Sequence, residues 1–543
     1  MREPIPGRLR SRSPNQTIGT GGEFGGVEWE ASSSNLSHPS GPIRHNNAMT
    51  HQPLPALLLL SLSLLSACTS TTTPTTPTSK TTSPPVASGD DVPTVARATR
   101  PAAPNCAVQS LASQVVGGDL AKLSYANRWP TLRTQASAST LAGLLLDTRK
   151  LINANYYGFS PVDLQALHET WEANFRKTFG NLQQAVPSTA DPLMAQYISA
   201  INDDHTFYLS PASYQAFKNQ GSGSPTPSPK FGFRFAAVPG EDGAVLIDID
   251  AGTPAAAAGL QRGDTILSVN GVALTRSSSD DNAAASQYSS VLAAAITRGG
   301  SVTLGIRRGA TPLSIAVTPS IVSSSSVPSG RMLGSTYVLR LPSFATTGTA
   351  QRVHDLVRAA QKAGASSLIL DLRGNRGGLV SEATGVSAAF APKLAGQTLE
   401  FIDAQDLTFF YDAQSGQVAG RGVCLKNTEA LTTIQNPALW TGKLATLVNA
   451  DSASASEVVT ETLQKAGASA FGEVTVGVGN TATTISDLGS GNRGLSVTIA
   501  RSRALDGQYL TAKVAPNVAV GDDLKALAHG NDLPLEAALG RVQ

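Results

Sequence analysis

Only three cysteines occur in 543 residues, and no cluster of His, Cys and carboxylate falls at metal-ligand spacing, so the sequence implies no metal and no cofactor. Aromatic residues make up 5% of the chain. Neither sign of charge dominates: 41 Lys and Arg face 39 Asp and Glu, which points away from a nucleic-acid partner. No phosphate-cradling GxxxxGK[ST] loop and no internal repeat is present. The apolar stretch from Ala56 to Ala67 is too short to span a bilayer. What the chain has instead is Gly, Ala, Ser and Thr, which suit tight packing and long polar linkers. Its length calls for two or three domains.

The first 48 residues are Gly/Ser/Asn-rich without an apolar period, and read as disordered or as lying outside the translated product. From Met49 the chain runs MTHQPLPALLLLSLSLLSACTS, whose apolar core has the length of a secretory signal, giving a signal segment over 49–67. Its end, Leu65-Ser66-Ala67-Cys68, resembles the lipobox of bacterial lipoproteins, which implies lipidation of Cys68 and an exported, membrane-anchored protein facing the periplasm or cell exterior. An ordinary cleaved signal with an incidental cysteine is the alternative. Residues 68–105 form a Thr/Ser/Pro linker that cannot bury a core. Export would put the remaining Cys106 and Cys424 in an oxidising compartment, where they either pair or stay as two buried thiols.

Residues 106–220 read as an N-terminal helical domain, with apolar residues at three- and four-residue spacing in LAGLLLDTRKLINANYYG and from Val162 to Phe179. GSGSPTPSP, 221–229, is a linker. KFGFRFAAVPGEDGAVLIDIDAGTPAAAAGLQRGDTILSVNGVAL then resembles a PDZ domain, over 228–320. In that resemblance Phe231, Gly232 and Phe233 occupy the loop that binds a peptide's terminal carboxylate through successive N–H groups, and the peptide adds as a strand. A small β-domain with a structural turn is the plainer reading. Over 330–520 strands and helices alternate, which predicts a mainly parallel sheet covered by helices, followed by a helical tail over 521–543. A strand pair is expected within GLSVTIARSRALDGQYLTAKVAPNV and a short helix around Leu524 to Ala528.

Two segments lie at strand-to-helix crossings, where ligand sites of open α/β sheets gather. In DLRGNRGG, Gly377 and Gly378 can aim backbone N–H groups at a developing oxyanion. In SASASE, 452–457, a helix is expected to begin near the last serine and to bury Val459, Leu463 and Ala466; a serine in the preceding turn has a helix N-terminus behind it. Asp371, Arg373 and Asn375 read as organisers of the turn, and His168 and His354 as surface or satisfied core residues, while His529 falls in the tail.

DLRGNRGG followed by LVNADSASASEVVTETLQKAGASAFGEVTVG, with INDDHTFYLSP and a PDZ-like stretch upstream, is similar to the tail-specific, or C-terminal processing, serine peptidases over roughly residues 138–540. The resemblance implies an α/β, crotonase-like catalytic core with an upstream PDZ domain and an N-terminal helical domain. It implies an endopeptidase acting on the C-terminal segments of unfolded or tagged polypeptides. Residue by residue, Ser454 matches the nucleophile, Ala455 and a glycine of the Gly377–Gly378 pair the oxyanion donors, and Ser452 and Ser456 packing or capping positions.

The family's lysine base falls on Val478, and no lysine occurs between Lys465 and Lys513. A serine hydroxyl needs a neighbouring base. In one reading His205 supplies it, as histidine does in the tricorn-type branch; the glutamate of that branch falls on Leu510, which leaves Asp203, Asp204 or Asp506 to orient the ring. In another the site is inactive and the protein binds peptides as a scaffold. A crotonase-like acyl-transfer enzyme is a third, weaker alternative, which the PDZ-like stretch disfavours.

Overall fold

The computed structural model describes residues 100–107, 139–222, 224, 228–323, 327–488 and 492–542. Cys68, the signal segment, most of the Thr/Ser/Pro linker and the first 48 residues lie outside the described residues. No described helix is long and apolar enough to cross a membrane.

The centre of the fold is a six-stranded sheet in the order Val518–Ala519, Ser469–Gly472, Lys443–Val448, Ser367–Asp371, Thr336–Arg340, Ser329–Leu333. All neighbours are parallel except the last pair. Strand Ser367–Asp371 is buried at every position, as a strand covered on both faces must be. Leu368 and Leu370 pack toward the helices Thr349–Lys362, Val380–Ala388 and Ala455–Lys465. Ile369 packs with Ala445 and Leu447 against Leu535 and Ala538 of the C-terminal helix Leu533–Val542. The tail thus completes the second face of the sheet.

A second sheet, antiparallel and seven-stranded, stands beside it; the alternation read from the sequence did not foresee it. Its spine is the long strand Arg493–Ala504, which pairs with Phe207–Leu209, Gly396–Phe401 and Thr481–Leu488. The hairpin partner is therefore the upstream Thr481–Leu488. The expected downstream stretch makes only an isolated bridge between Arg503 and Tyr509. Helices Leu141–Asn155, Leu164–Phe179 and Asp191–Ser199 share one core with this sheet, with Leu141, Leu144, Ile152, Phe175 and Ile198 packed among Leu399, Phe401, Val497 and Ile499. Thr140 caps the first helix by accepting from the Gly143 N–H, and Asp163 caps the second.

Residues before the helices are tied to the same sheet. Cys106 is disulfide-bonded to Cys424, Arg100 pairs with Asp406, and Gln405 donates to the Asn105 carbonyl at 3.0 Å. Between the helical and central parts sits a six-stranded antiparallel sheet over Phe233–Val317, closed by helix Asp281–Arg298, whose Ala284, Tyr288, Leu292 and Ala295 fill its core. Leu527 and Ala528 of helix Leu524–Ala528 pack on Val238 and Val245 of this module.

Candidate active site

DLRGNRGG leaves the central strand at Asp371 and turns through four fixed points. Asn375 is fully buried and uses every group: its N–H donates to the Leu372 carbonyl, its side-chain amide to the Leu341 carbonyl at 2.8 Å, and its Oδ1 accepts from Gly377 N at 2.9 Å. Its own carbonyl accepts from Ala453 N at 3.0 Å and from Ser456 Oγ at 2.7 Å. The turn is thereby stitched to SASASE. Ser452 Oγ donates to the Leu372 carbonyl at 2.9 Å, so the two outer serines, both fully buried, tie the segments together.

Ser454 lies between them with different surroundings. It is the residue before helix Ala455–Lys465, half-buried, and held at φ +54°, ψ −116°. A non-glycine residue in such a conformation is strained and persists only where its neighbours impose it. The restraint is Glu457, whose Oε2 accepts from Ser454 N at 2.6 Å. Within the helix, Val459 and Leu463 are fully buried as expected, whereas Ala466 ends the helix and is exposed.

Gly377 is pressed against the serine. A Cβ added there would come within 2.8 Å of Ser454 Cβ and 2.9 Å of Ala455 N. The Gly377 amide itself is committed to Asn375, so of the two glycines it is Gly378 whose N–H has no hydrogen-bond partner among the described residues. The Ala455 N–H, in the first turn of the helix, likewise has none. A half-buried serine beside two open amides, one at a helix N-terminus, is the arrangement that stabilises charge on a carbonyl under attack.

Glu457 is the residue that sequence reasoning missed, although SASASE ends on it. It is fully buried, and its Oε1 accepts from Thr475 Oγ1 at 2.5 Å and Gly477 N at 2.8 Å, its Oε2 also from Val478 N at 3.1 Å. Burial raises its pKa, and the donors only partly offset that. The carboxylate thus holds residues 475–478 beside the serine, and Val476 N adds a bond to the Ser452 carbonyl. Val478, on which the sequence reading expects the lysine position to fall, is buried and apolar.

His205 sits in the segment before strand Phe207–Leu209. Its Nδ1 meets Thr481 Oγ1 at 2.5 Å, and burial lowers its pKa to about 4, so the ring is neutral at neutral pH. No hydrogen bond joins it to Ser454. The three carboxylates expected to orient it do not touch the ring. Asp203 accepts from the His205 backbone N–H and from Thr206 and Thr498, Asp204 is exposed, and Asp506 accepts from the Gln508 N–H. Leu510 is buried. His168 and His354 are buried and hydrogen-bonded, and His529 pairs with Glu241 at the surface.

A cleft of about 1850 Å³ runs past the turn. It is bordered by Gly374, Arg376 and Asp451 of the two site segments, by Asp204 beside His205, and by Phe235 and Asp281 of the small sheet module. That module is joined to the turn by charge. Arg234 and Arg340 both pair with Asp248, and Arg340 also donates to the Asp371 carbonyl at 3.0 Å. Burial pushes the Asp371 carboxyl up, but Arg373 and Arg340 outweigh it and hold the pKa near 2. Arg373, almost fully buried, reaches Asp371, Asp522 and Asp532, and Arg262 of the module shares the last two. Asp371, Arg373 and Asn375 thus serve as structural members of the turn.

Phe231 and Phe233 stack with ring centroids 5.3 Å apart, and Gly232 between them has φ +86°. A side chain at Gly232 would collide with Thr253. The Phe231 and Gly232 N–H groups have no partner among the described residues, a pair of successive donors of the kind that receives a carboxylate.

The fold and the site together define a PDZ-bearing protein with an α/β core of mixed helices and sheets. Residues 335–520 match the profile of peptidase family S41, and residues 224–295 that of the PDZ domain. Similar curated proteins include carboxyl-terminal-processing peptidase 3 of Arabidopsis thaliana, 27% identical over 63% of this chain and 62% of that protein. The carboxy-terminal processing protease CtpA of Bacillus subtilis is 26% identical over 59% of this chain and 61% of its own. The chain therefore spans less than two thirds of the length of these relatives. Among solved structures, the photosystem II D1 C-terminal processing protease aligns with a TM-score of 0.38 at 19% identity, over 72% of this chain and 98% of that one. Over residues 335–520 the chain is thus similar to peptidase family S41, and its curated relatives include C-terminal processing peptidases.

Proposed function

We propose that this protein is an exported, lipid-anchored serine endopeptidase that cleaves near the C-termini of unfolded or tagged polypeptides. The observation that carries the reading is the strained, half-buried Ser454, set against Gly377 and beside the open Gly378 and Ala455 amides. Ser454 Oγ attacks the scissile carbonyl, its proton passes to a base, and the oxyanion is received by the two amides. His205 is the base in this reading, taking the part that Val478 cannot play. The C-terminus of the substrate docks on the Phe231 and Gly232 amides, and the chain extends along the cleft. Cys68 would carry the lipid.

One observation favours a second reading, a peptide-binding scaffold without turnover: no hydrogen bond reaches Ser454 Oγ from His205. Apo sites often lack bonds that form only with substrate, so the peptidase reading stands first. The test incubates an unstructured protein with wild type, Ser454→Ala and His205→Ala. Cleavage by wild type alone supports the proposal. Cleavage that survives Ser454→Ala overturns it, and retained peptide binding without any cleavage selects the scaffold.

A further inference from the structure

We infer that Thr481 is the positioning residue for His205, holding the ring as the Nδ1–H tautomer so that Nε2 keeps an open lone pair. This rests on the peptidase reading above and concerns how its base is set.

The inference follows from counting protons. Thr481 Oγ1 makes two contacts, to the Val478 carbonyl at 3.0 Å and to His205 Nδ1 at 2.5 Å. A hydroxyl has one proton to give and lone pairs to accept with. The carbonyl can only accept, so the hydroxyl proton goes to Val478, and the contact with the ring is satisfied by a proton on Nδ1. A neutral imidazole carries one N–H, so Nε2 is left as the acceptor. No described residue hydrogen-bonds to it.

Both partners are fixed from behind. Thr481 opens strand Thr481–Leu488, is paired with Arg501, and its own N–H also reaches the Val478 carbonyl at 3.3 Å. The His205 backbone is pinned through its N–H to Asp203 at 3.0 Å and through its carbonyl, which accepts from Ser496 Oγ at 2.9 Å. Asp203 spends its oxygens on that backbone, Thr206 and Thr498, so among the described residues no carboxylate hydrogen-bonds to Nδ1. The hydroxyl is also wired to the nucleophile's own support. Val478, whose carbonyl accepts the hydrogen bond from the Thr481 hydroxyl, donates its N–H to the Glu457 oxygen that holds Ser454 N. The Val478 backbone thus helps to position a substitute base, although its side chain cannot be one.

A hydroxyl selects the tautomer without adding a charge to steady the imidazolium, so its removal should cost less than the loss of a carboxylate orienter, which is about 10⁴-fold in the serine protease triad. Thr481→Val is expected to lower kcat by roughly 10- to 100-fold with KM little changed, and Thr481→Ser to restore it. The decisive readout is independent of turnover. Nitrogen-15 NMR of the full-length protein near pH 7, with the His205 signals identified by their loss in His205→Ala, should show a protonated Nδ1 and an unprotonated Nε2. Thr481→Val should move the ring toward the other tautomer, and Thr481→Ser should hold it. An Nε2–H ring in wild type, or an unaltered tautomer in Thr481→Val, overturns the inference even if Ser454 proves to be the nucleophile. A shifted tautomer with unchanged kcat overturns the positioning role. Loss of the peptidase reading would instead appear as cleavage surviving Ser454→Ala, or as no cleavage by wild type, with the NMR result intact.

Discussion

Gly377→Ala probes how closely the turn is fitted to the serine. The added methyl would lie 2.8 Å from Ser454 Cβ, 2.8 Å from the Ala453 carbonyl and 2.9 Å from Ala455 N. Carbon atoms settle about 3.5–4.0 Å apart, so Ser454 and the methyl must separate by roughly 1 Å. Ala453 O and Ala455 N are backbone, and Ser454 Cβ moves only with its own backbone, so none of the three can swing away. A misplacement of about 1 Å at a reacting group costs on the order of 100-fold in rate, close to 3 kcal/mol of barrier. Alanine at φ +90° also strains the fold by about 1–3 kcal/mol. Gly507→Ala separates the two effects: its φ is +84°, yet nothing lies within 4 Å of the added carbon. The assay pairs kcat/KM on an unstructured substrate with urea unfolding for both variants. Comparable losses of stability, with a rate loss near 100-fold in Gly377→Ala alone, are expected. Wild-type turnover in a folded Gly377→Ala protein would refute the fit of turn to nucleophile.

Three further outcomes follow from other contacts. Glu457→Gln places an amide NH₂ opposite backbone donors that now meet a carboxylate oxygen; urea unfolding should show a loss of about 2–4 kcal/mol, with faster hydrogen exchange at Ser454 and residues 475–478. The Cys106–Cys424 disulfide spans 318 residues of sequence, so Cys106→Ser with Cys424→Ser should lower stability by roughly 2–4 kcal/mol and expose the Arg100 segment to protease. His168 is fully enclosed between Asn153 and Tyr197, and burial lowers its pKa from 6.5 to about 4. The unfolded chain therefore takes up the proton first. The stability that the neutral ring contributes is full above pH 6.5 and is lost on acidification toward pH 4, by up to about 3 kcal/mol. The difference in unfolding free energy between wild type and His168→Asn should shrink accordingly between pH 7.5 and 4.5.

The sequence reads clearly where local pattern and local chemistry coincide. Strand Ser367–Asp371 is buried on both faces, so Leu368-Ile369-Leu370 appears as a run, and small residues crowd SASASE because two backbones meet there. The antiparallel sheet was invisible for the opposite reason. Strands such as Gln417–Gly422, QVAGRG, and Thr481–Leu488, TATTISDL, are short or half-exposed and carry little apolar alternation. Their identity as strands is conferred by pairing to Arg493–Ala504 and its neighbours. Glu457 stands at the end of SASASE, but nothing local announces that residues 475–478 fold back onto it. Thr481 gave no signal either: it meets His205 across 276 residues of sequence, and one threonine in a threonine-rich strand is indistinguishable from the next.

A fluorophosphonate reagent tests the central chemical claim most directly, because it forms a covalent bond only with a serine activated as a nucleophile. Wild type treated near pH 8 and digested should carry a single adduct on the peptide containing Ser454, blocked by prior addition of substrate and absent in Ser454→Ala. No adduct, or one on another serine that persists in Ser454→Ala, would contradict the account.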